Sequence, residues 1–452
     1  MVALERTSPR STLPRRTVAG YAIGSLGTGG FATLPGLVLV YYLTDTLGVA
    51  AILAGLLVTM AKIWDVIIDP VIGARSDRSL ALTASRRRLM VLGSLALPVF
   101  FILTFAVPTG LPPIVSGLWV LVAFILTATA FSLFQVPYIA LPAELVADYD
   151  ERTRLLSWRV VVLTFAILLF GAGGPALRDL GEGFFKYFIM AVVAGLVIGF
   201  GMLVSSFVAP RNTGFSDAPR VSVRENYAAG IRTLRRSPAF RALLLTFLLQ
   251  GLATGLMLAG AQYVATWVLN SESAVTLLFI ALIAPALGAA PLWGVLAKRV
   301  GKERGFVWAS ILFGIAALSM LVLLWFPGDW VYLPVALAGA GYAGMQSLPM
   351  AMLPDVISHD ALTHGEGQAG AFGGVWTAGE TAGMALGASV LTVVLAASGY
   401  VAGVAGAVKE QPDSAVAGIV LSFSIVPAVI IALSLWSFAR YPLRKADIEV
   451  TA

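Results

Sequence analysis

Long apolar runs alternate with short polar stretches along the whole chain. Twelve runs are long and apolar enough to cross a bilayer as helices, which takes about 20 residues each. They cover residues 18–43, 49–74, 89–107, 114–141, 157–177, 185–208, 240–269, 275–297, 306–326, 330–354, 370–399 and 415–438. The alternating pattern of membrane β-strands is absent, so helices are how this backbone satisfies its hydrogen bonds in hydrocarbon. The longest polar stretch, 209-APRNTGFSDAPRVSVRENYAAGIRTLRRSPAF-240, falls between the sixth and seventh runs. It predicts a six-helix half at 1–208, a linker at 209–239 and a second six-helix half at 240–452.

Composition agrees with the pattern. The chain is 58% hydrophobic and only 12% charged, against about 25% charged in soluble domains. With no cysteine it has no disulfide, no thiolate nucleophile and no thiolate metal site. The net charge of +6 invites a nucleic-acid reading, but the positions of the basic residues argue for topology instead. Arg178, Lys186 and Lys409 fall on one side and Lys62 inside the second run; every other lysine and arginine collects on the side of the termini. Cytoplasmic segments are the ones enriched in lysine and arginine. We therefore expect an integral protein of the plasma (inner) membrane with both termini cytoplasmic, surrounded by lipid, monomeric, and without a nucleic-acid partner. The basic start, Arg6 to Arg16, leads into a run too long for a cleavable signal segment.

The chain also repeats itself. The second run ends 70-PVIGARSDR-78 and the eighth 291-PLWGVLAKR-299; the fourth ends 135-QVPYIALPAEL-145 and the tenth holds 346-QSLPMAMLPDV-356. Both matches pair runs six helices apart, as in transporters built from two parallel six-helix repeats around a central site. Gly73, Asp77 and Arg78, followed by Arg86–Arg88, resemble the signature loop between helices two and three of the major facilitator superfamily. Gly73, Asp77, Arg78, Gly294 and Arg299 are thus candidate gating residues. Glu144 and Asp355, after the second proline of each pair, are candidates for interface ion pairs with basic loop residues.

Inside the second run, Lys62, Asp65 and Asp69 are spaced i, i+3 and i+7, so they share one helical face. An ionisable group in a span costs about 3 kcal/mol or more and marks an ion or proton path by default. Two carboxylates one turn apart repel until a cation or proton joins them. The spacing therefore predicts a cation site, the alternative being a static ion-pair cluster that fixes helix packing.

These residues belong to longer motifs. The strings 62-KIWDVIIDPVIG-73, 137-PYIALPAELVADYDERTRLLSWR-159 and 352-MLPDVISHD-360, with Gly20-Tyr21-x-x-Gly24, resemble the glycoside–pentoside–hexuronide:cation symporter family of the major facilitator superfamily. The resemblance implies an all-α, twelve-helix fold and transport of a sugar-class solute driven by a proton or sodium ion. It places the ion at Asp65 and Asp69, helped by Lys62 and Ser132. It places substrate near Tyr21, Ser25, Gln135, Tyr138, Arg159 and Thr381, to which the intramembrane pair Trp376 and Glu380 adds itself.

The departures from the family pattern carry information. Ile68 stands where sodium-using members have an amide, which removes an oxygen ligand and leans toward the proton. Ser25 and Gln135 replace the two acids that grip sugar hydroxyls, and Thr381 replaces a lysine. A buried hydroxyl left unpaired is costly, so a larger or amphipathic substrate such as a lysophospholipid is the second reading. A non-transporting sensor or scaffold is the third. No enzyme motif is present, no cofactor is expected, and the one metal ion the site admits is sodium as cargo. His359 and His364 around Asp360, with Glu366, are expected in a solvated loop without metal.

Overall fold

The structure is a computed structural model describing residues 13–83, 85–145, 149–210, 232, 234–364, 369–403 and 410–443. Among the described residues, twelve long helices correspond one to one with the twelve apolar runs. They are α1 (Arg15–Thr46), α2 (Ala51–Thr83), α3 (Arg87–Phe105), α4 (Pro113–Leu145), α5 (Tyr149–Arg178) and α6 (Phe184–Ser206), then α7 (Pro238–Val268), α8 (Ala274–Val300), α9 (Lys302–Leu324), α10 (Tyr332–His364), α11 (Ala369–Ala397) and α12 (Asp413–Phe438). Eleven spans are apolar enough to cross a membrane on composition alone. The other, α10, is 33 residues long, but its apolar stretch is diluted by Gly339, Gly341, Gly344, Gln346 and Ser347.

Several helices outrun their apolar segments. α2 continues through 75-RSDRSLALT-83 and α10 through 355-DVISHDALTH-364. A hydropathy run stops where hydrocarbon stops, whereas backbone hydrogen bonding continues until a breaker intervenes, and neither extension contains proline. Two expectations are corrected accordingly. Gly73 to Arg78 is helix, not loop, and His359 and Asp360 lie on α10 rather than in a loop. The side chains of Asp77, Arg78 and His364, and all of Glu366, lie outside the described residues.

The halves repeat each other in detail. α1 and α7 each end in a turn of π-helix, at Tyr42–Thr46 and Val264–Val268. α4 and α10 each keep two prolines five residues apart, Pro137 and Pro142, Pro349 and Pro354. In the first half α2 and α3 pack on α4, α3 on α6, and α1 on α5 and α6; in the second, α8 and α9 pack on α10, α9 on α12, and α7 on α11 and α12. The halves meet through α2 with α11, α5 with α8, and α1 with α7.

Small residues set the closeness of these seams, since backbones approach only where side chains are short. A β-carbon at Gly55 of α2 would lie 1.9 Å from Thr392 Oγ1 of α11, and one at Gly171 of α5 would lie 2.0 Å from Phe279 of α8. Just below Gly55, the Thr59 and Ser389 hydroxyls share a hydrogen bond of 2.5 Å.

Polar contacts between the halves cluster at the end of the bundle opposite the termini. The Thr44 and Tyr263 hydroxyls bond at 2.6 Å. Trp267 donates to Tyr400 (2.8 Å) and Tyr400 donates to Asp45 (2.5 Å). Burial, and the Asp45 carboxylate beside it, push the Tyr400 phenol up, so it remains a donor. Arg178, fully buried, donates to Gln262 Oε1 (2.8 Å) and to the Glu272 carbonyl (3.3 Å), and Lys186 pairs with the Glu272 carboxylate.

The absence of native cysteine makes the seam testable. Thr59→Cys with Ser389→Cys should form a disulfide on oxidation, joining the halves on a non-reducing gel after the linker is cut by an inserted protease site. Failure to cross-link would contradict the α2–α11 contact, because the hydroxyl separation puts the β-carbons within disulfide reach.

Candidate ion and substrate site

The α2 stripe is held in register by α4. Trp64 Nε1 donates to Thr129 Oγ1 at 2.9 Å, and the Thr129 hydroxyl in turn donates to the Ile125 carbonyl. That contact turns Asp65 and Asp69 along the α4 surface. Lys62 Nζ lies 3.2 Å from Asp65 Oδ2, with Asp65 only 15% exposed. Lys62 also stands 5.8 Å above the Phe31 ring of α1, a cation–π position. Asp69 is exposed, and Ser132 of α4, itself buried, lies near it. The lysine thus sits on Asp65 and leaves Asp69 open. Ile68, half-buried beside it, offers no ligand.

On the neighbouring face, α1 and α4 are joined by hydroxyls. Thr28 donates to Gln135 Oε1 at 2.7 Å, which leaves the Gln135 amide N–H groups as donors. Tyr138 donates to the Tyr21 carbonyl (3.0 Å), so Ser25 is the donor in its 3.0 Å bond with Tyr138. The Tyr21 and Tyr138 rings stack at 4.6 Å, and the Arg159 guanidinium of α5 lies 5.4 Å from the Tyr138 ring centre. Tyr21, Ser25 and Tyr138 are fully buried, and in this conformation they are packing residues of the α1–α4 seam. Gln135 and Arg159 are partly open.

In the second half, Trp376 of α11 is buried and stacks on Phe247 of α7 at 4.3 Å. Its indole N–H has no hydrogen-bond partner. Glu380, one turn on, is half-buried, as is Thr381. Tyr342 of α10 lies within electrostatic range of the Glu380 carboxylate and accepts a 3.1 Å bond from Gln346. Relative to the Thr59–Ser389 contact, Asp69 lies ten residues along α2 and Glu380 nine residues back along α11. At 1.5 Å per residue both acids sit about 14 Å toward the terminal end, at one level on opposite halves.

Each half also has a latch at its terminal end. Arg86, just before α3, pairs with Glu144 of α4 at 2.5 Å and donates to Ser76 of α2 at 2.6 Å. Lys302, the first residue of α9, pairs with Asp355 of α10 at 2.6 Å and donates to the Ala351 carbonyl. Glu144 and Asp355 thus pair within their own halves. Gly73 and the exposed Gly294 and Arg299 lie on α2 and α8 near these latches. The closing network at the opposite end was not anticipated. Asp45 falls just past an apolar run, and a buried Arg178 defies the expectation that arginine near a helix end is solvated.

A family profile described as "MFS/sugar transport protein" matches residues 20–445. The chain belongs to that family. Within it, the likeness is to the glycoside–pentoside–hexuronide:cation symporters, as the motifs implied. An uncharacterised symporter of Synechocystis is 26% identical over 95% of this chain and 94% of its own length. The glucuronide carrier protein homolog of Escherichia coli is 24% identical, covering 95% and 92%. The sodium-dependent lysophosphatidylcholine symporter 1 of Gallus gallus is 24% identical, covering 94% and 85%. Among solved structures, a D-xylose–proton symporter superposes with a TM-score of 0.65 at 12% identity, covering 94% of this chain and 98% of its own. That likeness establishes the major facilitator fold.

The two latches differ in burial: Arg86 and Glu144 are 10% and 15% exposed, Lys302 and Asp355 are 40% and 15%. Breaking a covered pair strands a charge, whereas an exposed one is screened. Glu144→Gln is expected to lower stability by about 2 kcal/mol and Asp355→Asn by under about 1 kcal/mol, read as thermal unfolding in detergent. Equal losses would show that burial does not set the difference.

Proposed function

We propose that the protein is a cation-coupled symporter of a small organic solute, with the ion site at Asp65 and Asp69. The observation that carries this reading is the α2 stripe, in which Lys62 covers Asp65 and leaves Asp69 open toward Ser132. Two ionised carboxylates about 6 Å apart on one helix face repel by about 3 kcal/mol at an effective dielectric of 20. A proton or sodium ion at Asp69 removes that cost, lets the helices close around the stripe and releases Lys62 for rearrangement. Gln135 and Arg159 beside it, with Glu380 and Thr381 across the interior, complete the substrate site. With the basic ends cytoplasmic, the closed network of Asp45, Tyr400 and Arg178 is the outer gate, and this conformation faces inward. The moving bodies are residues 1–208 and 240–452, acting as a monomer among lipids, with no nucleic acid and no resident cofactor or metal.

The names of the relatives support a sugar or glycoside as substrate. The second reading, an amphipathic lysophospholipid, is favoured by one feature, that Ser25 and Gln135 stand where sugar-gripping acids would be.

Asp69→Asn should abolish gradient-driven accumulation in proteoliposomes while leaving the protein folded and inserted; undiminished accumulation would place coupling elsewhere. Ile68→Asn restores an oxygen ligand beside the carboxylates. It is expected to raise sodium stimulation of uptake at least about threefold and to weaken dependence on a pH gradient. An unchanged ion response would remove Ile68 as the selectivity determinant.

A further inference from the structure

The second half carries an acid for which the ion-coupling scheme has no use. Glu380 lies on α11, while the proposed ion site is confined to α2 and α4. Among the described residues no lysine or arginine pairs with Glu380. Its surroundings are aromatic and amide in character: Trp376 one turn before it, Tyr342 and Gln346 from α10.

The placement of the group points inward. α10 packs mainly on α8 and α9, and α11 mainly on α7 and α2. The face of α11 turned to α7 is taken by Trp376, stacked on Phe247, and by Gly379, Gly383 and Gly387, which meet Leu244, Leu248 and Leu256. Glu380 stands at the edge of that face and within electrostatic range of Tyr342 on α10, a helix bound to different neighbours. Trp376 supplies an independent sign of a ligand. It is 2% exposed with an unpartnered indole N–H, and a buried donor without an acceptor is costly.

We propose that Glu380, Trp376, Tyr342 and Gln346 form a subsite in the second half that receives an ammonium group of the substrate. The proposal rests on the transporter reading and names a substrate class within it. An unpaired carboxylate flanked by indole and phenol rings is the chemistry that holds an organic cation, through charge, cation–π attraction and exclusion of water. The same arrangement repels a carboxylate-bearing sugar, because a like charge would be buried without relief. Gln346, with its amide carbonyl free to accept, suits a second N–H of the ammonium group.

Three probes of one scaffold test this: methyl β-D-glucoside, its 2-amino-2-deoxy analogue and methyl β-D-glucuronide. Binding is measured by thermal shift and calorimetry on the purified full-length protein at pH 7 in detergent. The amino analogue is expected to bind at least about tenfold more tightly than the neutral glucoside, and the glucuronide most weakly. Glu380→Gln should compress the amino preference to within about threefold. Glu380→Asp, which keeps the charge one carbon further back, should retain the order at reduced contrast. If Glu380→Gln does not fold, the reduced contrast in Glu380→Asp decides. Equal binding of the three probes, no binding of any, a glucuronide preference, or an order indifferent to both substitutions would each overturn the proposal. Because the order is read without a gradient, it is separable from coupling. Asp69→Asn should leave the order intact, and a correct order in a protein that accumulates none of the probes would count against symport alone.

Discussion

A carboxylate in or at the edge of a bilayer has to find a cation, a hydrogen-bond donor, a proton or water, and the arrangement of this molecule follows from how each such acid does so. Asp65 finds Lys62, three residues away on the same helix. Asp45 finds the hydroxyls of Tyr400 and Thr44. Glu144 and Asp355 find Arg86 and Lys302. Those four are settled within the protein, and all but Asp65 fasten one structural element to another. Asp69 and Glu380 are not settled in this way, and they sit at the same depth on opposite halves. On the proposed reading it is these two acids, rather than the largest number of charges, that mark where a mobile partner is needed.

The same constraint explains why the two ends of the bundle differ. Opposite the termini the halves are joined by buried polar bonds, from Thr44 to Tyr263 and from Arg178 to Gln262. Each is satisfied only while the halves touch. Opening that end would leave Arg178 and Asp45 facing hydrocarbon or admit water to them, so the seam is cooperative: it holds as a unit or yields as a unit. The glycine approach at Gly55 against Thr392 supplies the dry half of the same seam and fixes how close the backbones come.

Much of the architecture was legible in the chain because hydropathy reports burial in lipid directly. The number of spans and the repeat came from run lengths and from paired prolines whose spacing survives in both halves. What was not legible follows from the limits of that signal. Helix ends were misplaced because α2 and α10 continue as helices beyond the hydrocarbon edge, where polarity no longer distinguishes helix from loop. The α2 stripe was readable, since its three charges share one helix and their spacing is a local fact. The closing network was not, since Asp45, Gln262, Glu272 and Tyr400 come together only through contacts between halves. Tyr21 and Tyr138 show a further limit: the family resemblance put them near substrate, but whether an interior tyrosine faces a cavity or a neighbouring helix depends on packing that no local pattern encodes.

The symmetry of the scaffold and the asymmetry of its chemistry belong together. Each half repeats the same helix pairings, the same π-turn and the same latch, so the halves can rotate against one another as equivalent bodies. If both carried the same charges, one ligand would bind each half equally and nothing would tie closure to the presence of two different solutes. Here the first half presents Lys62, Arg159 and the paired aspartates, whereas the second presents Glu380 among aromatic and amide groups. On the proposed reading, a cation at Asp69 leaves the first half with the net positive charge of Arg159, and a substrate then bridges two surfaces of opposite character. On that reading closure is favoured only when both are present, because each bound partner removes a charge penalty that the other cannot reach. Obligatory coupling then needs no lever between the sites. It follows from placing uncompensated charge on both sides of one seam.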